Sequence, residues 1–341
     1  MACCCFLFPA YSAKYAEKRL TATKKIRYDL LGNEERNEDM WFIFSLLTAL
    51  AWGGSDLFSK MGTDPKDKES HWRMVVMVGL VMGVHAIGFL LFTGMEYNPI
   101  NLIKYLPVSL LYIVSMIFGY VGLRYIELSV SSPICNSSGA VTAVLCFLFL
   151  GQEMSWLQLG AVVLICGGIL GLSFLEKRNS DLQLAASGQQ VDRKYRASWL
   201  AILLPILYCI IDGLGTFADA LVLDGTGLLT EEEANISYEL TFLICGIIAL
   251  LYITLVKKKK FNFWSERIKG VGAICETVGQ FFYVYAIADN AIVAAPMIAS
   301  YSIFSVLLSR IFLKEKLTKW QYAVVAVVML GIAVLGLAEE L

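Results

Sequence analysis

Stretches of about 20 apolar residues recur along this chain, each long enough to cross roughly 30 Å of hydrocarbon as a helix. Ten of them run approximately over residues 41–59, 74–93, 105–123, 130–150, 155–175, 198–221, 237–256, 270–288, 290–309 and 320–338. All 28 Lys and Arg fall outside these stretches or at their ends. In lipid only helices and closed barrels satisfy every backbone group, and runs this continuous are helices, not short alternating strands. The sequence therefore reads as an all-α integral membrane protein with ten transmembrane helices. Composition agrees, with 57% hydrophobic and 17% charged residues, against about 45–50% and about 25% in a soluble domain.

Charge and motif content narrow the function. A net charge of −1 offers no basic surface for nucleic acid, and the lipid bilayer is the expected large partner. The two histidines and nine cysteines show neither CxxC nor HExxH spacing, so no metal and no cofactor are expected. No GxxxxGK[ST] loop is present, so work done by this chain would draw on an ion or solute gradient.

Residues 1–39 differ from the rest. The first forty positions hold seven Lys/Arg and six Asp/Glu, and the apolar run Cys3–Tyr11 is too short to span. Two readings stand: a lipid-anchored or amphipathic tail using Cys3 to Cys5, or an extension read in frame upstream of a true start at Met40.

The chain also resembles itself at a spacing of roughly 160 residues. Leu128-Ser129-Val130-Ser131-Ser132-Pro133-Ile134 matches Ala291-Ile292-Val293-Ala294-Ala295-Pro296-Met297, and Gly151-Gln152-Glu153 parallels Leu313-Lys314-Glu315. Ala161-Val162-Val163 parallels Ala323-Val324-Val325, and Trp52 and Asp56 align with Tyr208 and Asp212 at an offset of 156. This predicts a first five-helix repeat over 40–175, a polar linker over 176–197 and a second repeat over 198–341. An odd number of spans per half turns the second half upside down. The charges agree: loops one and three of the first half carry Lys60, Lys66, Lys68, Arg73 and Arg124, whereas the basic residues of the second half, Lys257 to Lys260, Arg267, Lys269, Arg310, Lys314, Lys316 and Lys319, lie in the counterparts of loops two and four. By the positive-inside rule that common side is cytosolic, with the linker, and both termini lie outside.

Ten helices in two inverted halves, Trp52-Gly53-Gly54-Ser55-Asp56 with Lys60 in helix one, and the short Gly-x-Glu and Lys-Glu loops before helices five and ten resemble the EamA-like branch of the drug/metabolite transporter superfamily. The likeness covers residues 40–338. It implies a basket of two inverted bundles around a central cavity, and movement of amino acids, metabolites or drugs. The chain departs from that pattern at Asp56, where an uncharged polar residue is commoner, and in its charge-derived orientation, since members usually keep both termini in the cytosol.

An ionisable group at the centre of a span costs about 2.5–3.5 kcal/mol on insertion scales, so each one needs a reason. Asp56, Asp212, Asp219 and Glu276 are the candidates; Asp56 has Lys60 one turn away. Helical spacing puts Trp52, Asp56 and Ser59 on one face, Tyr208, Asp212 and Asp219 on another, and Glu276, Gln280 and Tyr283 on a third. The expected site is therefore Trp52, Asp56, Asn136, Tyr208, Asp212, Glu276, Gln280 and Tyr283, with Asp219 read as a helix-end or interhelical hydrogen-bonding residue and His85 as a structural polar contact. Gly79 with Gly83, and Gly167 with Gly171, read as close-packing pairs. Aromatic rings beside carboxylates suit a cationic or zwitterionic small molecule, and an unpaired carboxylate in a low dielectric suits proton coupling. A secondary transporter in the cell membrane, of the bacterial inner-membrane kind, accounts for all of this. A channel or facilitator, or a sensor, is the alternative. An intramembrane enzyme lacks parts, with His85 the sole histidine inside a span.

Overall fold

The computed structural model describes residues 40–62, 69–122, 137–186, 199–314 and 317–339. Every regular element among them is helical: α1 (Met40–Gly62), α2 (Ser70–Thr93), α3 (Ile100–Gly122), α4 (Ser138–Leu145), α5 (Trp156–Ala186), α6 (Trp199–Ala220), α7 (Glu231–Leu251), α8 (Arg267–Ile298), α9 (Tyr301–Phe312) and α10 (Lys319–Glu339). Met40–Ser59, Ser70–Thr93, Ile206–Gly225, Glu231–Val256 and Arg267–Ile298 are long and apolar enough to cross a membrane, and five shorter apolar helices accompany them. The all-helical membrane class stands, and among the described residues five helices reach membrane-spanning length. The outer surface fits lipid, with Phe92 94% and Trp156 89% exposed.

Three helices end in a widened turn, at Cys146–Leu150, Leu221–Gly225 and Tyr252–Val256. In two of these, Thr226 and Lys257 donate to carbonyls five residues back, at 2.8 and 3.0 Å. Helical structure in α6 thus runs past residue 221, and Asp219 lies inside it. At the other boundary, α5 continues to Ala186, so the polar segment after residue 175 begins as helix.

The ninth expected span, 290–309, is not one helix. Backbone angles leave the helical region at Asn290 (φ −156°, ψ 79°), residues 291–298 form a buried helical piece, and a turn at Ala299-Ser300 precedes α9. Pro296 has no N–H for a helical bond, which weakens this piece from within. Its first turn is met by another segment, because the Gln152 side-chain carbonyl accepts from the Ile292 N–H at 3.1 Å. The Gly-Gln-Glu loop before α5 therefore caps a helical piece 140 residues further along the chain.

Helix α8 is the hub, packed on α1, α2, α4 and α6. The further principal pairs are α2 with α7, α5 with α10, α3 with α6 and α7, α9 with α1, and α4 with α6. The Gly79–Gly83 expectation holds: a Cβ at Gly79 would stand 2.3 Å from the Phe242 carbonyl oxygen, so α2 and α7 touch backbone to backbone, and Gly83 sits beneath Leu243. The Gly167–Gly171 expectation does not, since nothing lies within 4 Å of a Cβ at Gly167 and one at Gly171 would make ordinary contact with Val324 at 3.6 Å.

At one end of the bundle the loops carry ion pairs. Lys259 bonds Glu69, Arg73 meets Glu266 at 3.3 Å, and Lys269 meets Glu266 at 2.5 Å. Basic residues from the α7–α8 loop and from the start of α2 are thereby gathered at the same end.

Candidate substrate and coupling site

Helix α6 brings the first carboxylates in. Its face Tyr208, Asp212, Thr216, Asp219 repeats at three- and four-residue spacing and packs against α3. Asp219 is fully buried and accepts from the hydroxyls of Tyr105 and, at 2.8 Å, Tyr112. Tyr112 stands 2.5 Å from the Tyr283 hydroxyl and 3.2 Å from Thr216 Oγ1. Asp212 accepts from Ser115 at 3.2 Å, with Ser138 of α4 also in reach. A buried carboxylate needs such donors to offset its lost hydration.

Helices α1 and α8 supply the other side. The Trp52 indole stacks on Tyr283 with centroids 5.2 Å apart and meets Tyr301 edge-on at 6.0 Å. Glu276, two turns before Tyr283, is partly buried, with Ser55 in hydrogen-bond reach and Asp56 in electrostatic reach. Two donors at this locus have no partner, Trp52 Nε1 and Gln280 Nε2, although Gln280 is 3% exposed. Buried donors left open are positions where a ligand acceptor gains most. Tyr238 of α7 joins the two sides, since Asp212, Asp219 and Glu276 all lie in electrostatic reach of its phenol. Tyr238 is itself 4% exposed and edge-on to Tyr112.

Of the residues expected from sequence, Trp52, Asp212, Glu276, Gln280 and Tyr283 come together around this centre. Tyr208 is half-buried one turn before Asp212, and Asp56 is exposed beside Glu276. Asn136, the side chain of Lys60 and the repeat segment 128–134 lie outside the described residues. Of the two readings expected for Asp219, the interhelical one holds: the widened turn at Leu221–Gly225 lengthens α6, and Asp219 is buried and hydrogen-bonded to Tyr105 and Tyr112 of α3 rather than standing at a free helix end. Tyr105, Tyr112 and Tyr238 were missed. The seven-residue spacing of Tyr105 and Tyr112, two turns on one face, was the available signal. Glu239 was missed too, through its place near the start of a span.

The profile of the EamA-like transporter family matches residues 39–174 and 236–337. No curated protein matches the chain. Among solved structures, 28 chains match. One crystal structure aligns with 88% of this chain and 97% of its own at 14% identity and a TM-score of 0.66, a likeness of fold.

Proposed function

The chain belongs to the EamA-like transporter family, and from that premise we propose that it is a proton-coupled secondary transporter of a small cationic or zwitterionic metabolite, such as an amino acid or other amine-bearing compound. Family membership indicates a multi-pass membrane transporter rather than an enzyme. The observation that carries the finer reading is the buried cluster in which Asp219 accepts from Tyr105 and Tyr112, Tyr112 meets Tyr283 and Tyr283 stacks on Trp52, beside the open donors of Trp52 and Gln280. Carboxylates and aromatic faces suit an ammonium group, and open N–H donors suit a carboxylate. Carboxylates with access to both sides in turn can exchange a proton against such a ligand.

We read the architecture as two inverted five-helix repeats of ten spans. Exchanging α1–α5 for α6–α10 turns the pair α1–α8 into α6–α3, α1–α9 into α6–α4, and α2–α8 into α7–α3, while α2–α7 and α5–α10 map onto themselves. Helices α4 and α9 both start at a serine, Ser137 and Ser300, 163 positions apart and with similar angles (φ −83° and −71°). Left-handed residues recur in the same way, Gly151 with Lys314 and Gly94 with Lys258. Gly53 lies against Phe304, and Gly213 against Val141, again 163 positions apart. These glycines favour an α1-to-α6 offset of 160, one turn from the 156 of the sequence match. They also give Trp52-Gly53-Gly54 a packing role, seating α1 against α9.

The basic end faces the cytosol in this reading, in the inner membrane of a bacterial cell. A cytosol-only reporter fused after Leu341 should be silent, and activity there would reverse the orientation. Transport is tested by uptake of labelled amino acids and amines into proteoliposomes with and without an imposed pH gradient. Gradient-dependent accumulation of at least one is expected; passive equilibration of all of them would turn the reading toward a facilitator.

A further inference from the structure

A second polar locus lies away from the central one, between α2 and α7. Glu239, two turns into α7 and only 1% exposed in its side chain, is bonded by His85 Nδ1, with both carboxylate oxygens at 2.8 Å. His85 is 38% exposed in its side chain, so the pair has one buried and one accessible member. A recess with room for about one water is lined by His85, Phe89, Glu232, Asn235, Ile236, Glu239 and Phe281. Asn235 is 4% exposed, and its Oδ1 has no partner. The amide cannot simply be turned over, because its Nδ2 donates to the Phe281 carbonyl at 3.3 Å, and reversal would set two acceptors face to face. Among the residues that line the recess, Asn235 therefore keeps one buried acceptor without a donor.

The chemistry of that donor is restricted. Among the described residues no three His, Cys, Asp or Glu converge as a metal set. The space suits a water or a proton carried on one. Glu232, Asn235 and Glu239 repeat along one face of α7, from its first turn to a depth of about 10 Å at roughly 1.5 Å per residue. Glu232 accepts from Tyr285 at 3.1 Å, and close by Tyr97 is bonded to Ser237 at 2.9 Å and Asn101 to Glu233 at 2.9 Å. Of the lining residues His85, Glu232 and Glu239 are titratable, and Tyr285 of α8, Tyr97 of the α2–α3 loop and Glu233 of α7 are the titratable groups of the surrounding hydrogen bonds. A carboxylate only accepts, so His85 Nδ1 carries its hydrogen and Nε2 keeps the lone pair.

We propose that the recess of His85, Asn235 and Glu239 is a proton-binding site, loaded along the Glu232 face of α7, whose protonation is passed to α8. The step is a simple transfer: Nε2 takes a proton from water, the imidazolium pairs with the Glu239 carboxylate, and the proton returns to water on release. Passage to α8 runs through Phe281, which meets the His85 ring edge-on at 5.9 Å and holds Asn235 by its carbonyl. Phe281 adjoins Gln280, on the face that carries Glu276 and Tyr283. This site rests on the transporter reading above, and it is tested by measurements that need no substrate.

The chain has two histidines, so His71→Gln leaves His85 as the single histidine reporter in the full protein in nanodiscs. Its labelled ring should titrate between pH 5 and 9, and Glu239→Gln should weaken proton binding about tenfold or more, since an opposite charge at this range is worth one unit or more. The Trp52 indole resonance, assigned by Trp52→Phe, should shift with the same midpoint, and that step should vanish in His85→Gln. If His85→Gln does not fold, the Trp52 step must instead follow His85 to its new midpoint in Glu239→Gln. A ring that does not titrate, a titration indifferent to Glu239→Gln, or a Trp52 step that persists without His85 overturns the proposal. Absence of any uptake by the wild-type protein in proteoliposomes would count against the transport reading alone, and the spectra would still decide the proton site.

Discussion

The Trp52 indole lies over Gly279 so closely that a Cβ added at position 279 would come within 2.3 Å of its Cδ1. This contact seats the ring of α1 on α8, against Tyr283 and beside the turn that carries Glu276 and Gln280. The smallest residue of α8 thus sets the position of the largest aromatic side chain in the site.

Gly279→Ala should displace the indole, because a rigid ring cannot yield by a flexible tip. Overpacking of this kind costs about 1–3 kcal/mol. Thermal unfolding in detergent should show the loss, and Trp fluorescence should report a changed surrounding. An unaltered unfolding curve and spectrum would mean that the indole does not rest there.

Tyr112→Phe removes one donor from the buried Asp219 carboxylate and a 2.5 Å partner from Tyr283. A buried acceptor left short of a partner costs about 1–3 kcal/mol. The variant should be clearly less stable than Ser115→Ala, which removes a longer 3.2 Å bond to the partly buried Asp212. Equal unfolding midpoints for the two variants would contradict the cluster.

Two glycines of α2 make a paired test. A Cβ at Gly79 would strike the Phe242 carbonyl, a backbone atom, whereas nothing lies within 4 Å of one at Gly88. Gly79→Ala should part α2 from α7 and destabilise by about 1–3 kcal/mol or more. Gly88→Ala should be neutral or stabilising by up to about 1 kcal/mol through helix propensity. Similar losses from both variants would rule out the close approach.

The helices were legible in the sequence because lipid forces apolar length on every span, and the Trp52, Glu276 and Tyr283 locus was legible because helical spacing aligns them. What stayed hidden lacks a local signal. The turn at Ala299-Ser300 is made of small neutral residues, so a hydropathy window passes over it. The partners of Asp219 lie 114 and 107 residues earlier in the chain, and its apparent place at a helix end came from a widened turn that only hydrogen bonding reveals. Glu239 lies 154 positions from His85, and nothing local in the sequence marks the pair.

The central claim is that carboxylates between the two halves couple proton movement to that of a small solute. It is tested most directly by comparing wild-type protein and Glu276→Gln in proteoliposomes, measuring both exchange of a labelled substrate and its accumulation under a pH gradient. The substitution keeps the size and much of the hydrogen bonding of Glu276 and removes its proton chemistry. Exchange should survive while gradient-driven accumulation falls to the level of simple equilibration. Accumulation undiminished in a well-folded Glu276→Gln protein would contradict the claim.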